Sequence, residues 1–316
     1  MNFSQCSLYK LSRKRDLNNI IKTKVHNTNN YNFQYKPYIE KKPKSRLIEA
    51  PKNELKIIQK RIKKELDYLT FPKNVFSGIK GRSYIDNAYF HINSNYFIKM
   101  DLSKFFPNTN REKIYKFYKD KMKMNNDIAS ILTDLSSVDI TNMMTDEIKS
   151  FIDEKGIKHT NHLPSGSPIS SILSYLANID MFNELDLLAK KYNCIVSFYV
   201  DDIIFSSKYK ISKSLINKAE KIITKYGQIV NLDKTKSYIT NDFKKITGCI
   251  IKNHEFFIPN KTKYKIAKLL KQENYTQKEI NSILGLINSA HLFDRNKYND
   301  LQYKIKNKCF KNKKIC

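Results

Sequence analysis

Three aspartates occupy positions where a carboxylate suggests chemistry. Asp101 ends a short apolar run, and Asp201 and Asp202 lie between the apolar runs Cys194–Phe198 and Ile203–Ser206. Carboxylates brought together at strand ends repel one another unless a cation lies between them. Such oxygen ligands suit Mg²⁺, and two ions about 3.5–4 Å apart can support an in-line phosphoryl displacement. A solvated turn would also explain an Asp-Asp pair, but the flanking runs are unusually apolar for a turn.

Local patterns indicate the elements that must position these carboxylates. Tyr96–Met100 predicts a buried strand, and residues 194–206 predict a hairpin with Tyr199–Asp202 at its tip. Helices are predicted over Asn53–Leu69, Asn110–Leu135 and Ser212–Tyr226, and another is predicted to open with Ser167 as N-cap and Pro168, while Ser136–Asn161 is predicted to be rich in loops. Further along, Ile246–Ile251 is predicted to pair with Phe256–Ile258 across a turn at Asn253 and His254. Two C-terminal helices follow, and the second begins in a capping box at Thr276. Together these elements predict an α+β fold with a helical C-terminal third.

The charge of the chain favours a polyanionic partner. The 316 residues include 58 Lys+Arg and 30 Asp+Glu, a formal net charge of +28, and only seven of the basic residues are arginine. Part of the lysine excess fits an AT-rich codon bias, but even half of it indicates a polyanion. An anionic membrane would require an amphipathic basic helix or a lipidation signal, and the sequence offers no convincing one. Nucleic acid is therefore the favoured partner.

Cysteine usage and hydropathy favour a cytoplasmic protein. The five cysteines are odd in number, scattered, and without a Cys-x-x-Cys pair, which argues against a disulfide framework or a zinc site. No apolar run approaches the roughly 18 residues of a membrane-spanning helix, and the first residues lack an apolar stretch of signal-peptide length. We therefore expect a reducing cytoplasm and no membrane.

Five segments resemble, in order, the motifs of reverse transcriptases. They are 45–51 (SRLIEAP), 99–107 (KMDLSKFFP), 163–168 (LPSGSP), 199–202 (YVDD) and 231–236 (NLDKTK). Each segment alone is a weak signal, but the ordered set is strong and covers roughly residues 41 to 253. The resemblance implies an RNA-directed DNA polymerase that uses two Mg²⁺ ions and dNTPs.

Two further elements are similar to those of retron reverse transcriptases. Asn87-Ala88-Tyr89-Phe90-His91 fits an Asn-Ala-x-x-His element, and Ile246-Thr247-Gly248 is similar to a Val-Thr-Gly element. Asn87 and His91 would share a helix face, where His91 would either bridge local structure or contact RNA. Two departures from the pattern are Ser165, where glutamine is common, and Val200, where alanine is common. Ser165 lacks the amide that would contact the incoming nucleotide, which puts fidelity or nucleotide affinity in doubt.

The resemblance also implies a domain plan. A right-hand polymerase would place an N-terminal helix and fingers in residues 1–96 and a palm with an antiparallel sheet in residues 97–250. An interleaved fingers segment would lie around residues 113–163. Residues 251–316 would form a helical thumb and a basic C-terminal tail.

The same resemblance assigns roles to individual side chains. Asp101, Asp201 and Asp202 would be the catalytic, metal-binding residues. The residues expected to bind the nucleotide are Arg46, Phe106, Ser165, Gly166 and Lys234, and those expected to bind primer or template RNA are Asn87, His91, Thr247 and Gly248. Arg46 would bind the triphosphate, with Lys41, Lys42 and Lys44 as alternatives. Phe106 would exclude a ribose 2′-hydroxyl, unless it is a core residue beside Phe105, and Lys234 or Lys236 would neutralise pyrophosphate.

The function implied by the resemblance has several parts. A retron enzyme would copy part of its own structured non-coding RNA into DNA from an RNA 2′-hydroxyl and give a branched RNA–DNA hybrid (msDNA). Such an enzyme would act in antiphage defence, and it would hold a separately encoded effector protein inactive. Two alternatives remain open, namely another bacterial reverse transcriptase, of the abortive-infection or diversity-generating type, and a catalytically silent RNA-binding scaffold.

Overall fold

A computed structural model of the chain describes residues 1–25, 29–41, 44–270 and 276–291. The helices are α1 (Lys14–Ile21), α2 (Asn29–Asn32), α3 (Asn53–Leu66), α4 (Tyr84–Tyr89), α5 (Arg111–Lys116), α6 (Asn126–Ser136), α7 (Asp146–Lys155), α8 (Ser170–Ala177), α9 (Ile179–Lys191), α10 (Ser214–Lys225), α11 (Asn260–Leu270) and α12 (Gln277–His291). The strands are β1 (Tyr38–Glu40), β2 (Arg46–Ile48), β3 (Tyr96–Ser103), β4 (Val138–Asp139), β5 (Asn161–His162), β6 (Ile195–Tyr199), β7 (Asp202–Ser207), β8 (Ile229–Val230), β9 (Lys236–Tyr238), β10 (Lys244–Ile246), β11 (Cys249–Lys252) and β12 (Glu255–Phe257). Lys42 and the predicted basic tail lie outside the described residues.

An antiparallel sheet in the order β6-β7-β3-β8 forms the centre of the fold, and β9 also pairs with β3. Consecutive residues of β3 and β7 are buried, so both faces of these two strands are covered. Their register places Asp101 opposite Asp202. The helices and antiparallel sheets confirm the predicted α+β class, and the predicted hairpin of β6 and β7 is also confirmed.

Aromatic side chains pack the central sheet against α8 and α9. The rings of Phe182 and Phe198 lie 4.7 Å apart, and those of Tyr175 and Phe182 lie 5.0 Å apart. Phe198 comes from β6, so this cluster fixes the strand that leads into the Asp201–Asp202 turn. Full burial of each such ring stabilises the fold by about 1.5–3 kcal/mol.

A second support holds the hairpin tip from the side. Residues 74–77 run beside β6, where the Phe198 N–H donates to the Asn74 carbonyl at 2.9 Å and the Phe76 N–H donates to the Phe198 carbonyl at 2.8 Å. Val200, at the tip, has a left-handed backbone with φ of +53°, which is unfavourable for a β-branched residue. Its N–H donates to the Ser77 hydroxyl, so this hydrogen bond helps hold the turn.

The small sheet β10-β11-β12 follows the central sheet and leads into α11 and α12. Two turns connect its strands, one at Thr247 and Gly248 and the other at Asn253 and His254. The predicted turn at Asn253 and His254 is therefore confirmed. The predicted strand Ile246–Ile251 is wrong in part, because Thr247 and Gly248 adopt positive φ values and divide it. The predicted capping box at Thr276 is confirmed by reciprocal hydrogen bonds with Glu279.

Three other sequence predictions are corrected. The stretch Asn110–Leu135 is not one helix, because a π-helical turn over Phe117–Lys121 separates α5 from α6. The stretch Ser136–Asn161 is not mainly loop, because it contains α7. The helix expected at Ser167 begins at Ser170, although the Ser167 hydroxyl does accept from the Ile169 N–H at 3.3 Å and donates to the Gln59 side chain at 2.5 Å.

The sequence predicted no disulfide framework and no membrane-spanning helix. In the part of the chain that the structure describes, Cys6, Cys194 and Cys249 are free and buried. None of the described helices combines the length and apolar character needed to cross a membrane.

Candidate active site

The three aspartates meet at one end of the central sheet. Asp101 in β3 is the register partner of Asp202 in β7, and Asp201 directly precedes Asp202 at the hairpin tip. The backbone fixes them further, since the Leu102 N–H donates to the Asp201 carbonyl at 2.8 Å. The Asn231 N–H donates to the Asp101 carbonyl at 2.7 Å. The structure thus brings together the carboxylates that the sequence singled out.

Two lysine amines contact this carboxylate cluster. Lys234 Nζ lies 2.7 Å from Asp101 Oδ2, and Lys99 Nζ lies 2.8 Å from Asp202 Oδ1. Lys236, the alternative to Lys234, lies in β9 opposite Lys99. The contact with Asp101 therefore favours Lys234. Sequence reasoning missed Lys99, although a lysine two positions before Asp101 on an apolar strand shares its face and could have indicated the contact.

The electrostatics of the cluster favour a bound cation. Burial, followed by the charges of Asp202 and Asp101, raises the pKa of the Asp201 carboxyl to about 6. Burial also raises the pKa of Asp202, although Lys99 opposes the shift. Carboxylate oxygens that raise one another's pKa in this way suit a divalent cation such as Mg²⁺. Among the described residues, no three acidic, histidine or cysteine side chains already form a complete metal centre.

A cavity of about 530 Å³ opens beside the carboxylates. It brings together five of the residues to which the resemblance assigned a role: Arg46, Phe106, Ser165, Asp201 and Lys234. Residues that sequence reasoning did not assign to the site also line it, among them Lys104, Phe151, Lys155 and Asn231. Because Lys44 lines the same cavity, the structure leaves both Arg46 and Lys44 as candidate triphosphate ligands. Lys41 instead pairs with Glu147 at 3.1 Å.

Gly166 shapes the loop between β5 and α8 without lining the cavity. Its φ is +92°, a value that favours glycine. A Cβ atom at this position would lie 3.3 Å from Ile48 Cγ2 and 3.4 Å from the Ala50 Cβ. Glycine therefore lets the loop pack closely against the chain that follows Arg46.

The structure corrects the prediction that Asn87 and His91 bind RNA, because both are buried. His91 Nδ1 lies 2.7 Å from the Ser206 hydroxyl, and Nε2 lies 2.6 Å from the Ser197 hydroxyl. His91 therefore bridges the segment after α4 to β6 and β7, which is the structural alternative considered for it. Asn87 Nδ2 lies 3.4 Å from Thr247 Oγ1, within α4's contact with the β10–β11 turn.

Thr247 and Gly248 form that turn. The Thr247 hydroxyl donates to the Tyr84 carbonyl at 2.9 Å, and both residues have positive φ values, of +42° and +90°. The two retron-like elements thus contact each other, so α4 supports the turn that was expected to hold the primer. Gly248 is exposed and Thr247 is partly buried.

Comparison with known proteins agrees with this geometry. Residues 39–255 match the family model described as reverse transcriptase (RNA-dependent DNA polymerase). The chain is 26% identical over 232 residues to the retron Se72 reverse transcriptase of Salmonella heidelberg (strain 579083-10), an alignment covering 70% of this chain and 55% of that protein. It is 27% identical over 242 residues to the retron Ec86 reverse transcriptase of Escherichia coli, covering 74% and 68%.

These matches confirm the predicted polymerase fold and the predicted retron-type reverse transcriptase family. The chain spans about half the length of the Salmonella relative and about two thirds of the length of the Escherichia coli relative. The reverse transcriptase match, together with the mixed helices and antiparallel sheets, fits the predicted right-hand polymerase fold. The chain therefore belongs to the reverse transcriptase family, and its curated relatives are of the retron type.

Proposed function

We propose that this chain is an RNA-directed DNA polymerase that adds dNTPs to a growing DNA end. One observation supports the proposal above all others: a single cavity is lined both by basic side chains, among them Lys44, Arg46 and Lys155, and by Asp201 of the aspartate cluster. A nucleoside triphosphate needs cations for its phosphates and a carboxylate cluster beside its α-phosphate. The cavity supplies both within one space.

Five side chains of the cavity have a proposed part in binding. Arg46, with its planar guanidinium, would engage the triphosphate oxygens bidentately, with Lys44 and Lys155 adding charge. Phe106 would lie against the sugar and exclude a 2′-hydroxyl. Lys234, which contacts Asp101, would neutralise the departing pyrophosphate. These residues bind and orient the substrate, which is most of what phosphoryl transfer asks of a protein.

Reverse transcriptases generally use divalent metal ions, and we propose two Mg²⁺ ions here. Asp101 and Asp201 would hold both ions, with Asp202 less directly involved. When bound, such ions activate the attacking hydroxyl and stabilise the leaving oxygen. The chain's own contribution is to hold three carboxylates at the end of the central sheet, where burial, followed by the charges of Asp202 and Asp101, raises the pKa of Asp201.

We also propose that the chain acts as a retron enzyme. Proteins of this type work with a non-coding RNA template, and the curated relatives carry retron names. The enzyme would copy part of its cognate structured RNA from an RNA 2′-hydroxyl and yield a branched RNA–DNA hybrid (msDNA). It would act in the cytoplasm within an antiphage defence system and hold a separately encoded effector inactive.

The test is to purify the protein from cells that carry its native flanking DNA and to analyse the bound nucleic acid after RNase or DNase treatment. Asp201→Asn with Asp202→Asn provides the inactive variant, and Asp153→Asn, at an exposed position on α7, provides the matched control. We expect a short DNA linked to RNA in the wild type and the control only. Bound RNA without DNA in every sample would indicate a silent scaffold. DNA that is not linked to RNA would indicate another bacterial reverse transcriptase.

A further inference from the structure

Glu49 is a buried carboxylate that joins two walls of the nucleotide cavity. It directly follows β2, which begins at Arg46, and only 1% of its surface is exposed. Its backbone N–H donates to the Ser165 carbonyl at 2.7 Å, and its Oε2 accepts from the Ser165 N–H at 3.0 Å. Its Oε1 lies 2.9 Å from Nε2 of His162, which is fully buried. One side chain thus holds both ends of the segment His162–Ser165.

The hydrogen bonds around His162 determine how many protons the pair must hold. Nδ1 lies 2.7 Å from the His159 carbonyl, which can only accept, so Nδ1 carries a proton. Nε2 faces Glu49 Oε1, and two unprotonated acceptors would repel each other at 2.9 Å. A second proton must therefore lie between Nε2 and Oε1, either on the imidazole or on the carboxyl. The contact exists only while the pair keeps that proton.

The surroundings of His162 favour the protonated pair. Burial by itself lowers the pKa of His162, but the Glu49 carboxylate, the His159 carbonyl and Asp139 in β4 together raise it above its ordinary value. Two other titratable groups are close to the pair. The charge of Glu49 adds to burial in raising the pKa of Tyr35, and the charge of Lys113 adds to burial in lowering the pKa of His159. Removal of the proton would leave a buried carboxylate facing a lone pair, which is costly in a desolvated site.

We propose that Glu49 and His162 are positioning residues whose shared proton locks the Ser165 loop to the strand that carries Arg46. The inference rests on the proposed polymerase function. Ser165 and Arg46 line the same cavity, so the lock sets their separation and with it the fit of the incoming nucleotide. Loss of the proton at high pH loosens the loop and weakens dNTP binding, while the aspartate cluster on the central sheet keeps its geometry.

Replacing Glu49 by glutamine keeps the hydrogen bonds of the pair but removes their dependence on the shared proton. In Glu49→Gln the side-chain amide donates to Nε2 of a neutral His162 and its oxygen still accepts from the Ser165 N–H. This variant therefore keeps the contacts with a neutral His162 and does not lose them as pH rises. In Glu49→Ala both side-chain contacts are lost. Glu112→Gln, in an exposed ion pair with Lys116 on α5, is the matched control.

The experiment measures KM for dNTP and kcat on a primed RNA template between pH 6.5 and 9 for all four proteins. We expect KM of the wild type and of Glu112→Gln to rise about tenfold or more across this range, and KM of Glu49→Gln to stay flat. Glu49→Ala should have a high KM throughout, with kcat changed less than KM. A wild-type KM that stays flat, or one that rises equally in Glu49→Gln, overturns the proposal.

Thermal unfolding over the same pH range tests the lock without any activity. The wild type should lose stability relative to Glu49→Gln as pH rises, because its lock depends on a proton that Glu49→Gln does not need. If the wild type incorporates no dNTP at any pH, the polymerase proposal fails. In that case the melting curves still decide whether the proton-dependent contact exists, and parallel curves refute it. This comparison also stands if Glu49→Ala does not fold.

Discussion

The two lysines beside the aspartate cluster show how the residues of the site balance charge. Lys99 contacts Asp202 and Lys234 contacts Asp101, while Asp201 has a pKa raised by burial and by both neighbouring carboxylates. The aspartates could be predicted from the sequence because each ends or interrupts an apolar run. Lys99 was missed: its place on the same strand face as Asp101 was readable, but its contact with Asp202 depends on the register of the neighbouring strand.

Phe106 provides a test of sugar selection. Its ring is partly buried, lines the cavity and packs against the buried Phe105 at a centroid distance of 6.1 Å. Phe106→Ala should remove the steric barrier to a 2′-hydroxyl and improve rNTP use relative to dNTP by about tenfold or more. The ratio of kcat/KM values for the two nucleotides measures this effect. Phe106→Tyr keeps the bulk and should keep the selectivity, and equal ratios in Phe106→Ala and the wild type would contradict the assigned role.

Gly166 provides a test of loop packing, with Gly81 as its matched control. Both have left-handed backbones, with φ of +92° and +79°. A Cβ atom at Gly166 meets Ile48 and Ala50, whereas one at Gly81 meets no described atom within 4 Å. Alanine at either position should cost about 1 kcal/mol of unfolding free energy. Only Gly166→Ala should also raise KM for dNTP, by about tenfold, and an equal rise in Gly81→Ala would refute the packing argument.

At the scale of elements, His91 links the segment after α4 to two strands of the central sheet. The Ser206 hydroxyl donates to the Ser94 hydroxyl at 2.9 Å, so Nδ1 of His91 donates to Ser206 and Nε2 accepts from Ser197. A neutral imidazole therefore gives both ring nitrogens and the Ser197 and Ser206 hydroxyls a hydrogen-bond partner. Burial lowers the pKa of His91 to about 3, because a charged ring would be desolvated between the strands.

This lowered pKa predicts an acid-sensitive fold. Between the ordinary histidine pKa of about 6.5 and the folded value of about 3, the unfolded chain binds a proton that the folded chain does not. His91 should therefore remove about 1.4 kcal/mol of unfolding free energy per pH unit as pH falls through this window. Urea unfolding at pH 7 and pH 5 should show a loss about 2 kcal/mol smaller in His91→Gln than in the wild type.

The control for this prediction is the exposed His254. His254→Gln should keep the wild-type loss of stability between pH 7 and pH 5, since it leaves the buried His91 ring unchanged. If His91→Gln and the wild type lose equal stability over this range, the link between α4 and the sheet does not depend on a neutral ring.

Helix α7 and the start of α8 are the elements that the sequence patterns placed least well. Helix α7 had readable end signals: Thr145 accepts the Ile148 N–H as N-cap, and Gly156 follows the last residue in a left-handed conformation. Those signals were available in the sequence, so the loop-rich interpretation was avoidable. The Ser167 hydroxyl accepts from the Ile169 N–H, as a capping serine does, and also donates to Gln59 on α3, a contact across 108 residues that the sequence could not show.

For the whole molecule, the charge excess remains the broadest feature. The described residues include carboxylates paired with lysines on several helices, yet 58 basic residues face only 30 acidic ones in the full chain. If the excess of basic residues served only solubility, their side chains would be solvated and would contact no phosphate. A surplus that binds nucleic acid must release counterions when lysines meet phosphates.

The salt dependence of RNA binding separates these two possibilities. If about 6–10 phosphates are contacted, affinity for a structured RNA should fall about 10³–10⁵-fold between 50 and 200 mM salt. Filter binding or fluorescence anisotropy at several salt concentrations gives the slope of log affinity against log salt, and Asp201→Asn with Asp202→Asn keeps the RNA intact during the measurement. A slope near −1 would mean that almost none of the +28 charge contacts phosphate. A steep slope would mean that the lysine excess forms a surface that binds phosphate.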